Sequence, residues 1–394
     1  MSEFTQAEVL AQRDGLQQAM IEETPQIDRI TLEDLKWLDT GAGILGTGGG
    51  GDPRLGRLRL RTIFEDDDHP DSVEVIAPEE LDPDATVTSV GGIGAPTISR
   101  EKFPKGDEDL NAMRAIEQYA DETVDAIIPG EIGGANSMAP LCVAALADLP
   151  VVDGDGMGRA FPELQMDTFF IYGHPVNYGA ICDERGNKLV YEAIDTPKRL
   201  EDLARSITVD MGGRAGFAFP LMSGEFVSRY CISDTVSLAR ELGRRVHLAR
   251  EQSDDPIERI CELLDGEHLF TGKIIDVYRR NREGFAMGEV VFAELDGIRR
   301  LTIEFQNEYL IARTDEDEIL LTVPDLICIV DKDTGEPVTT GALRYGQRVC
   351  ILGVPAPALL TSPAALEVIG PGAFGYETNY VPLKAENRSY ESKE

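Results

Sequence analysis

Past a polar stretch at residues 1–28, the chain settles into a helical rhythm. Thr31-Leu-Glu-Asp34 has the form of a capping box, and Leu32, Leu35, Leu38, Ala42 and Leu45 follow at helical spacing. A second helix is predicted after Asp52-Pro53, with Asp52 as N-cap and Pro53 at its first position. The period then changes. Short β-rich apolar runs appear at Val73–Ala77, Thr86–Val90, Asp125–Ile128 and Pro150–Asp153, with helical patterns at Asp107–Tyr119 and Ala135–Ala147 between them. Such alternation predicts a parallel sheet with crossover helices. Residues 167–265 read as mixed: strand pieces at Thr168–Tyr172 and Lys188–Tyr191, helices near Pro197–Asp210 and Ser233–Arg250, and a glycine turn at Met211–Gly216. From 266 onward seven alternating or apolar runs, Leu269–Tyr278 to Arg348–Leu352, are split by turn residues with no long helix. The expected organisation is a polar segment (1–28), an α/β domain carrying the site (29–265), an all-β barrel or sandwich domain (266–383) and a polar tail (384–394).

Glycine interrupts this pattern at telling places. Seven of the thirteen residues in Gly41–Pro53 are glycine, four of them consecutive at Gly48–Gly51. A run without Cβ lets main-chain N–H groups converge on one ligand atom, an anion-binding nest. No Lys-Ser/Thr follows, so this is no P-loop, and a helix rather than a strand enters it, so Gly46–Gly51 matches a dinucleotide fingerprint by letters alone. Three strands also run into glycine-rich loops: Gly91–Pro96, Pro129–Ser137 and Asp153–Met166. Parallel strands release such loops at one sheet edge, where ligands gather. Thr47, Gly48, Gly49, Gly50 and Gly51 are therefore candidate substrate-binding residues.

Charge excludes several partners. The chain holds 37 basic and 71 acidic residues, a net charge of −34 spread along its length. That disfavours nucleic acid and anionic membranes, which require basic patches. It fits adaptation to high salt, or simply an acidic cytosolic protein. The six cysteines lie far apart in mostly apolar settings, as expected for free thiols in a reducing compartment. No apolar signal core or 18-residue apolar span is visible, so a cytoplasmic protein is expected.

The loops Gly46–Pro53, Gly133–Ser137 and Asp153–Gln165 resemble those of the S-methyl-thiohydantoin desulfurase family. So do Phe270–Val277, Gln306–Leu310, Pro324–Ile327, Leu343–Gly346 and Gly370–Tyr376. The likeness runs in one order over residues from about 30 to 383. It implies hydrolysis of a 2-methylthio-imidazolone ring to a hydantoin, with release of methanethiol. The alternative is a non-catalytic nucleotide- or anion-binding subunit that accompanies a hydantoinase-type enzyme. The expected partners are the small-molecule substrate and further copies of the chain in a homo-oligomer.

The residues themselves supply acids for such chemistry. Asp153 and Asp155 follow a buried-type strand one glycine apart. They are candidates for the water-activating base and its partner, for oxygen ligands of a divalent metal, or for a helix cap. Glu131 is the candidate general acid or a loop carboxylate bound by N–H groups. Asn136 and Ser137 open a helix, and bind a substrate carbonyl or cap that helix. Arg159 pairs with a substrate carboxylate or with Glu163, and both are candidate substrate contacts. Among the four histidines only His174, after a strand, is placed to reach a site. No nitrogen-rich zinc motif and no G-x-S-x-G elbow occurs, and neither nicotinamide nor flavin is expected.

Overall fold

In a computed structural model, which describes residues 24–94, 98, 102, 104–282, 284–295 and 297–383, the chain forms two large sheets. The polar tail and most of the N-terminal segment lie outside the described residues, as do Ala95 and Pro96 of the first strand-end loop.

The first half begins β1 (Arg29–Thr31), α1 (Leu35–Leu45), α2 (Pro53–Phe64), β2 (Ser72–Ile76), β3 (Thr86–Gly94), α3 (Glu108–Ala120), β4 (Ala126–Pro129), α4 (Met138–Ala147), β5 (Val151–Val152) and β6 (Gly154–Asp155). It continues α5 (Thr168–Ile171), β7 (Gly179–Cys182), β8 (Lys188–Tyr191), α6 (Pro197–Asp210), β9 (Arg214–Ala218), β10 (Met222–Ser223), α7 (Gly224–Tyr230), β11 (Ile232–Ser233), α8 (Thr235–Gln252) and α9 (Pro256–Leu264). Strands β2, β5, β4 and β3 are parallel, as the strand–helix alternation predicts. The sheet as a whole is mixed, in the order β1-β2-β5-β4-β3-β9-β7-β8, with β10 also on β3. The expected parallel strands are one part of this mixed sheet; β9, set among glycines, pairs antiparallel with β3 and β7. Gly216 reads as a turn residue, yet a Cβ there would lie 2.6 Å from the Asp109 nitrogen, so glycine lets the strand pass under α3.

Two more expectations are corrected. Thr168–Tyr172 holds one helical turn, not a strand, because Asp167 caps it and accepts from the Phe170 N–H at 2.7 Å. Thr31 lies in β1, and the N-cap of α1 is Asp34; its carboxylate turns back to accept from Thr31 N and Oγ1. Gly41 and Gly43 belong to α1. A Cβ on Gly41 would come within 1.8 Å of the Ala239 carbonyl, and one on Gly243 equally close to that of Trp37, so α1 and α8 cross almost backbone to backbone.

The second half is β12 (Glu267–Arg282), β13 (Phe285–Glu294), β14 (Arg300–Gln306), β15 (Glu308–Thr314), β16 (Ile319–Thr322), β17 (Leu326–Asp331) and β18 (Arg348–Val354), then α10 (Pro363–Ile369). The seven strands form one antiparallel half-barrel, ordered β16-β15-β14-β13-β12-β18-β17. Alternation turns Ile274, Val290, Phe292, Leu301, Ile303 and Ile351 into one of its cores. A separate core joins α1, α4 and α8 to β17 and β18 of the half-barrel through Ile44, Leu242, Cys328 and Leu352. Among the described residues no helix is long and apolar enough to cross a membrane.

Candidate functional site

A cleft of about 750 Å³ opens between the two sheets. Its walls are Gly50–Asp52 from the glycine loop, Ser89–Gly94 at the end of β3, and Gly130, Glu131 and Asn136 beyond β4. Met157 and Phe161–Leu164, Arg214 on β9, and Asn307 and Glu308 from the half-barrel add to it, as do Arg59 of α2, His69, Lys105 and Arg205. Loops that follow neighbouring parallel strands meet here at one sheet edge.

Glu308 enters from the other sheet by a tight hairpin. Asn307 joins β14 to β15 at φ 59, a left-handed position that asparagine tolerates better than most residues. Its N–H donates to the Ala286 carbonyl at 2.8 Å and its Oδ1 accepts from the Ala286 N–H at 2.9 Å, which sews the turn to β13. Glu308 is thus held at the cleft, where the Gly50 N–H serves its carboxyl and Oε2 has no hydrogen-bond partner. The carboxyl lies against Gly49, where a Cβ would stand 1.8 Å from Oε1.

Glu131 lies opposite. Its Oε1 accepts from Asn136 Nδ2 at 2.7 Å and its Oε2 from the Phe161 N–H at 3.2 Å. Burial pushes it up to about 8 despite these donors, and Asp155 adds to the rise. Burial also raises Glu308 well above the ordinary carboxyl range, with Glu131 the next cause. A negative charge on Glu131 therefore disfavours one on Glu308.

The remaining sequence candidates divide. Gly50, Gly51, Asp52, Glu131, Asn136 and Glu163 line the cleft. Asp52 also caps α2, accepting from the Arg54 N–H at 3.1 Å. Asn136 caps nothing; its amide clasps Gly92, Oδ1 to N–H at 3.0 Å and Nδ2 to carbonyl at 3.3 Å, and so orients Glu131. Thr47, Gly48, Gly49, Ser137, Asp153, Asp155, Arg159 and His174 are not cleft walls. Thr47 Oγ1 accepts from Arg159, and the Gly48 carbonyl accepts from Thr340 N. Ser137 is buried, its hydroxyl donating to the Gly134 carbonyl at 2.7 Å.

Asp153 and Asp155 sit behind the cleft as clamps. Asp153 caps α8: Oδ1 accepts from the N–H groups of Val236 and Ser237, both at 3.0 Å, and Oδ2 from the Ser237 hydroxyl. Asp155 Oδ2 accepts from Ile132, Met157 and Gly158 N–H groups at 2.8, 3.1 and 2.8 Å, pinning two cleft loops together. Burial raises them to about 6 and about 7. As for the divalent metal expected at these two, no group of three or more His, Cys, Asp or Glu side chains among the described residues could hold one. Arg159 lies between the half-barrel and the glycine loop, its donors engaged by the Pro324, Asp325 and Tyr309 carbonyls and by Thr47 Oγ1.

Glu308 and Arg214 are among the cleft residues that sequence reasoning missed, as is His69, which lines the cleft where His174 was expected. Glu308 stands within the Gln306–Leu310 stretch that resembles the family, but lies over 170 residues from Glu131 in sequence. Its signal is the lone asparagine between two strands. In the sequence Arg214 stands within a glycine turn pattern, Met211–Gly216. Its guanidinium hangs over Gly92, Nη2 being 3.5 Å from the position of a Cβ there, and forms no ion pair or side-chain hydrogen bond with a described residue.

The sequence matches the S-Me-THD-like N-terminal domain over residues 33–193 and the S-Me-THD-like C-terminal domain over residues 195–383. The structure resembles the crystal structure of a protein from Chromobacterium violaceum, with a TM-score of 0.75 and 24% identity, covering 90% of this chain and 100% of that one. At that identity the likeness bears on the fold alone. No curated protein matches the sequence.

Proposed function

The chain belongs to the S-Me-THD-like family, and from that premise we propose that the cleft hydrolyses the ring carbon–sulfur bond of an S-methyl-thiohydantoin, giving a hydantoin and methanethiol. One observation carries the reading: two buried carboxyls, Glu131 and Glu308, are brought from different sheets to the same cleft. The reaction needs an acid and a base together. The carboxylate of the pair takes a proton from water as the water oxygen bonds to the ring carbon between the two nitrogens. The carboxylic acid of the pair gives its proton to the ring nitrogen that gains charge. The tetrahedral adduct then collapses. Its C–OH becomes C=O, the C–S bond breaks, and sulfur keeps the electron pair and takes the hydroxyl proton. One water is consumed and one methanethiol leaves.

Other groups fit supporting parts. The bare main chain of Gly91 and Gly92 lets a flat ring lie close to β3. Of the cations on the cleft wall, Arg59, Lys105 and Arg205 pair with Asp109, Asp107 and Glu201, which leaves Arg214, rather than Arg159, for an anionic part of the substrate. Asn136 holds Glu131 in place.

The test is methanethiol release from an S-methyl-thiohydantoin by the full chain, followed with a thiol-reactive chromophore. Glu131→Gln and Glu308→Gln keep the shape and are expected to lower kcat by about 10²–10⁴-fold. A folded wild type that binds the ring but releases no thiol would instead mark a non-catalytic binding subunit.

A further inference from the structure

The cleft is much larger than the ring. A 2-methylthio-imidazolone has eight non-hydrogen atoms, which fill about 240 Å³ at a water molecule's share of about 30 Å³ apiece. The cleft offers about 750 Å³, within the range that drug-sized ligands occupy. The extra room has a direction. Asp52 opens α2, two residues past the Gly50 whose N–H serves Glu308. Asn136, which holds Glu131, stands two residues before α4, and its N–H donates to the Gly50 carbonyl at 3.1 Å. Both helices thus start at the acids. They also run the same way. A Cβ on Gly51 would lie 3.3 Å from the Ala135 Cβ, and one on Gly56 2.7 Å from that of Met138, so an advance along α2 matches an advance along α4.

The cleft wall follows both helices, each along one face: Leu55, Leu58 and Thr62 on α2, Ala139, Cys142 and Leu146 on α4. Ten residues separate Asp52 from Thr62, so the groove leads about 15 Å from the acids at a helical rise of about 1.5 Å per residue. Its chemistry is mostly apolar. Leu55 and Leu58, one turn apart, are 44% and 52% exposed although they line it. Exposed apolar side chains gathered in a cleft mark a surface that a ligand covers. The cations in the groove are spoken for. Arg59 Nη1 meets Asp109 at 2.6 Å and its Nη2 donates to the Gly106 carbonyl at 2.8 Å, while Lys105 meets Asp107 at 2.5 Å. The Cys142 thiol is neutral, pushed up to about 11 by burial.

Resting on the reading that this cleft is where the ring is hydrolysed, we propose that the groove between α2 and α4 is the subsite for a long apolar substituent on that ring. The substrate class is then S-methyl-thiohydantoins that carry an extended aliphatic or aromatic side chain. The ring lies at the acids, its imide meeting Arg214, and the side chain runs along α2 over Leu55 and Leu58. These contacts are the same before and during the reaction, so they act on KM rather than on kcat.

The test is a series of S-methyl-thiohydantoins with a methyl, butyl, hexyl or carboxyethyl group on the ring's sp³ carbon, given to the full chain. From methyl to hexyl, kcat/KM is expected to rise about fourfold per methylene, through KM, and the butyl compound should outrun the carboxyethyl one. Leu58→Asp puts a charge on the groove at a half-exposed position. It should cut the hexyl-to-methyl ratio of kcat/KM by roughly tenfold or more. A flat or falling series, a preference for the carboxyethyl compound, or an unmoved ratio in Leu58→Asp overturns the proposal. Calorimetry with the matching hydantoins separates the groove from the chemistry. Affinity that climbs with chain length in a chain that releases no thiol would sink the proposed reaction and leave this inference standing. Thiol release that ignores chain length would sink this inference and leave the reaction.

Discussion

Gly49→Ala is a single-methyl test of the site. Gly49 is not among the residues with positive φ, so alanine brings no backbone penalty. The new Cβ would stand 1.8 Å from Glu308 Oε1, 2.4 Å from Cδ and 2.6 Å from Cγ. Real Cβ contacts essentially never fall below 3.0 Å, so Oε1 must retreat by the difference, at least 1.2 Å. The atom that yields is the end of a side chain rather than main chain. The stability cost is therefore that of modest overpacking, about 1–3 kcal/mol, or a Tm drop of roughly 1–4 °C at about 1.2 °C per kcal/mol for 394 residues. The catalytic cost is larger. A misplacement of about 1 Å in a reacting group is worth about 10²-fold in rate. Methanethiol release measured below the Tm should fall by about that factor, with the thermal transition still cooperative. Gly51→Ala is the control: φ +85 strains it, but its nearest neighbour is the Ala135 Cβ at 3.3 Å, away from Glu308. A folded Gly49→Ala chain with near wild-type kcat would refute the placement of Glu308 in the chemistry.

Three further outcomes are expected. Glu131 rises from its ordinary 4.5 to about 8 in the folded chain; between those values the native state binds a proton that the unfolded chain does not, so stability falls as pH rises across that window and levels off above it. Denaturant titrations should show the wild type losing stability relative to Glu131→Gln over that range, and parallel curves would contradict the buried placement. Asp153→Ala removes the cap of α8 and should cost about 1–2 kcal/mol in thermal unfolding, with turnover lost only in proportion to the unfolded fraction; a rate loss of 10²-fold or more in folded protein would return Asp153 to the chemistry. Molar KCl should raise the Tm by screening the net charge of −34, and a Tm that is flat or falls from low to molar salt would refute salt adaptation.

Local signals explain what could be read without coordinates. Helices α2 and α6 begin where proline follows a capping residue, Asp52-Pro53 and Thr196-Pro197, because those residues act on their own turn. Alternating or continuous apolar runs marked the seven strands of the half-barrel: β14 buries one face, whereas β15, β17 and β18 are buried on both. Glu131 was legible as an acid on a loop after a parallel strand. What stayed hidden depends on distant chain. Gly216 looks like a turn until α3 is seen lying over it. Asp153 and Asp155 carry the same local signature as a catalytic acid, but three-dimensional neighbours decide what a carboxylate does. Here the N–H groups of Val236 and Ser237 claim the first, and those of Ile132, Met157 and Gly158 the second. Arg159 reads as a surface cation for an anionic substrate, and the half-barrel carbonyls bury it instead. Glu308 comes to line the same cleft as Glu131 only in the folded chain. Sequence patterns report local propensity and one-sided burial, whereas charge pairing across a cleft is set by long-range packing, which has no period along the chain.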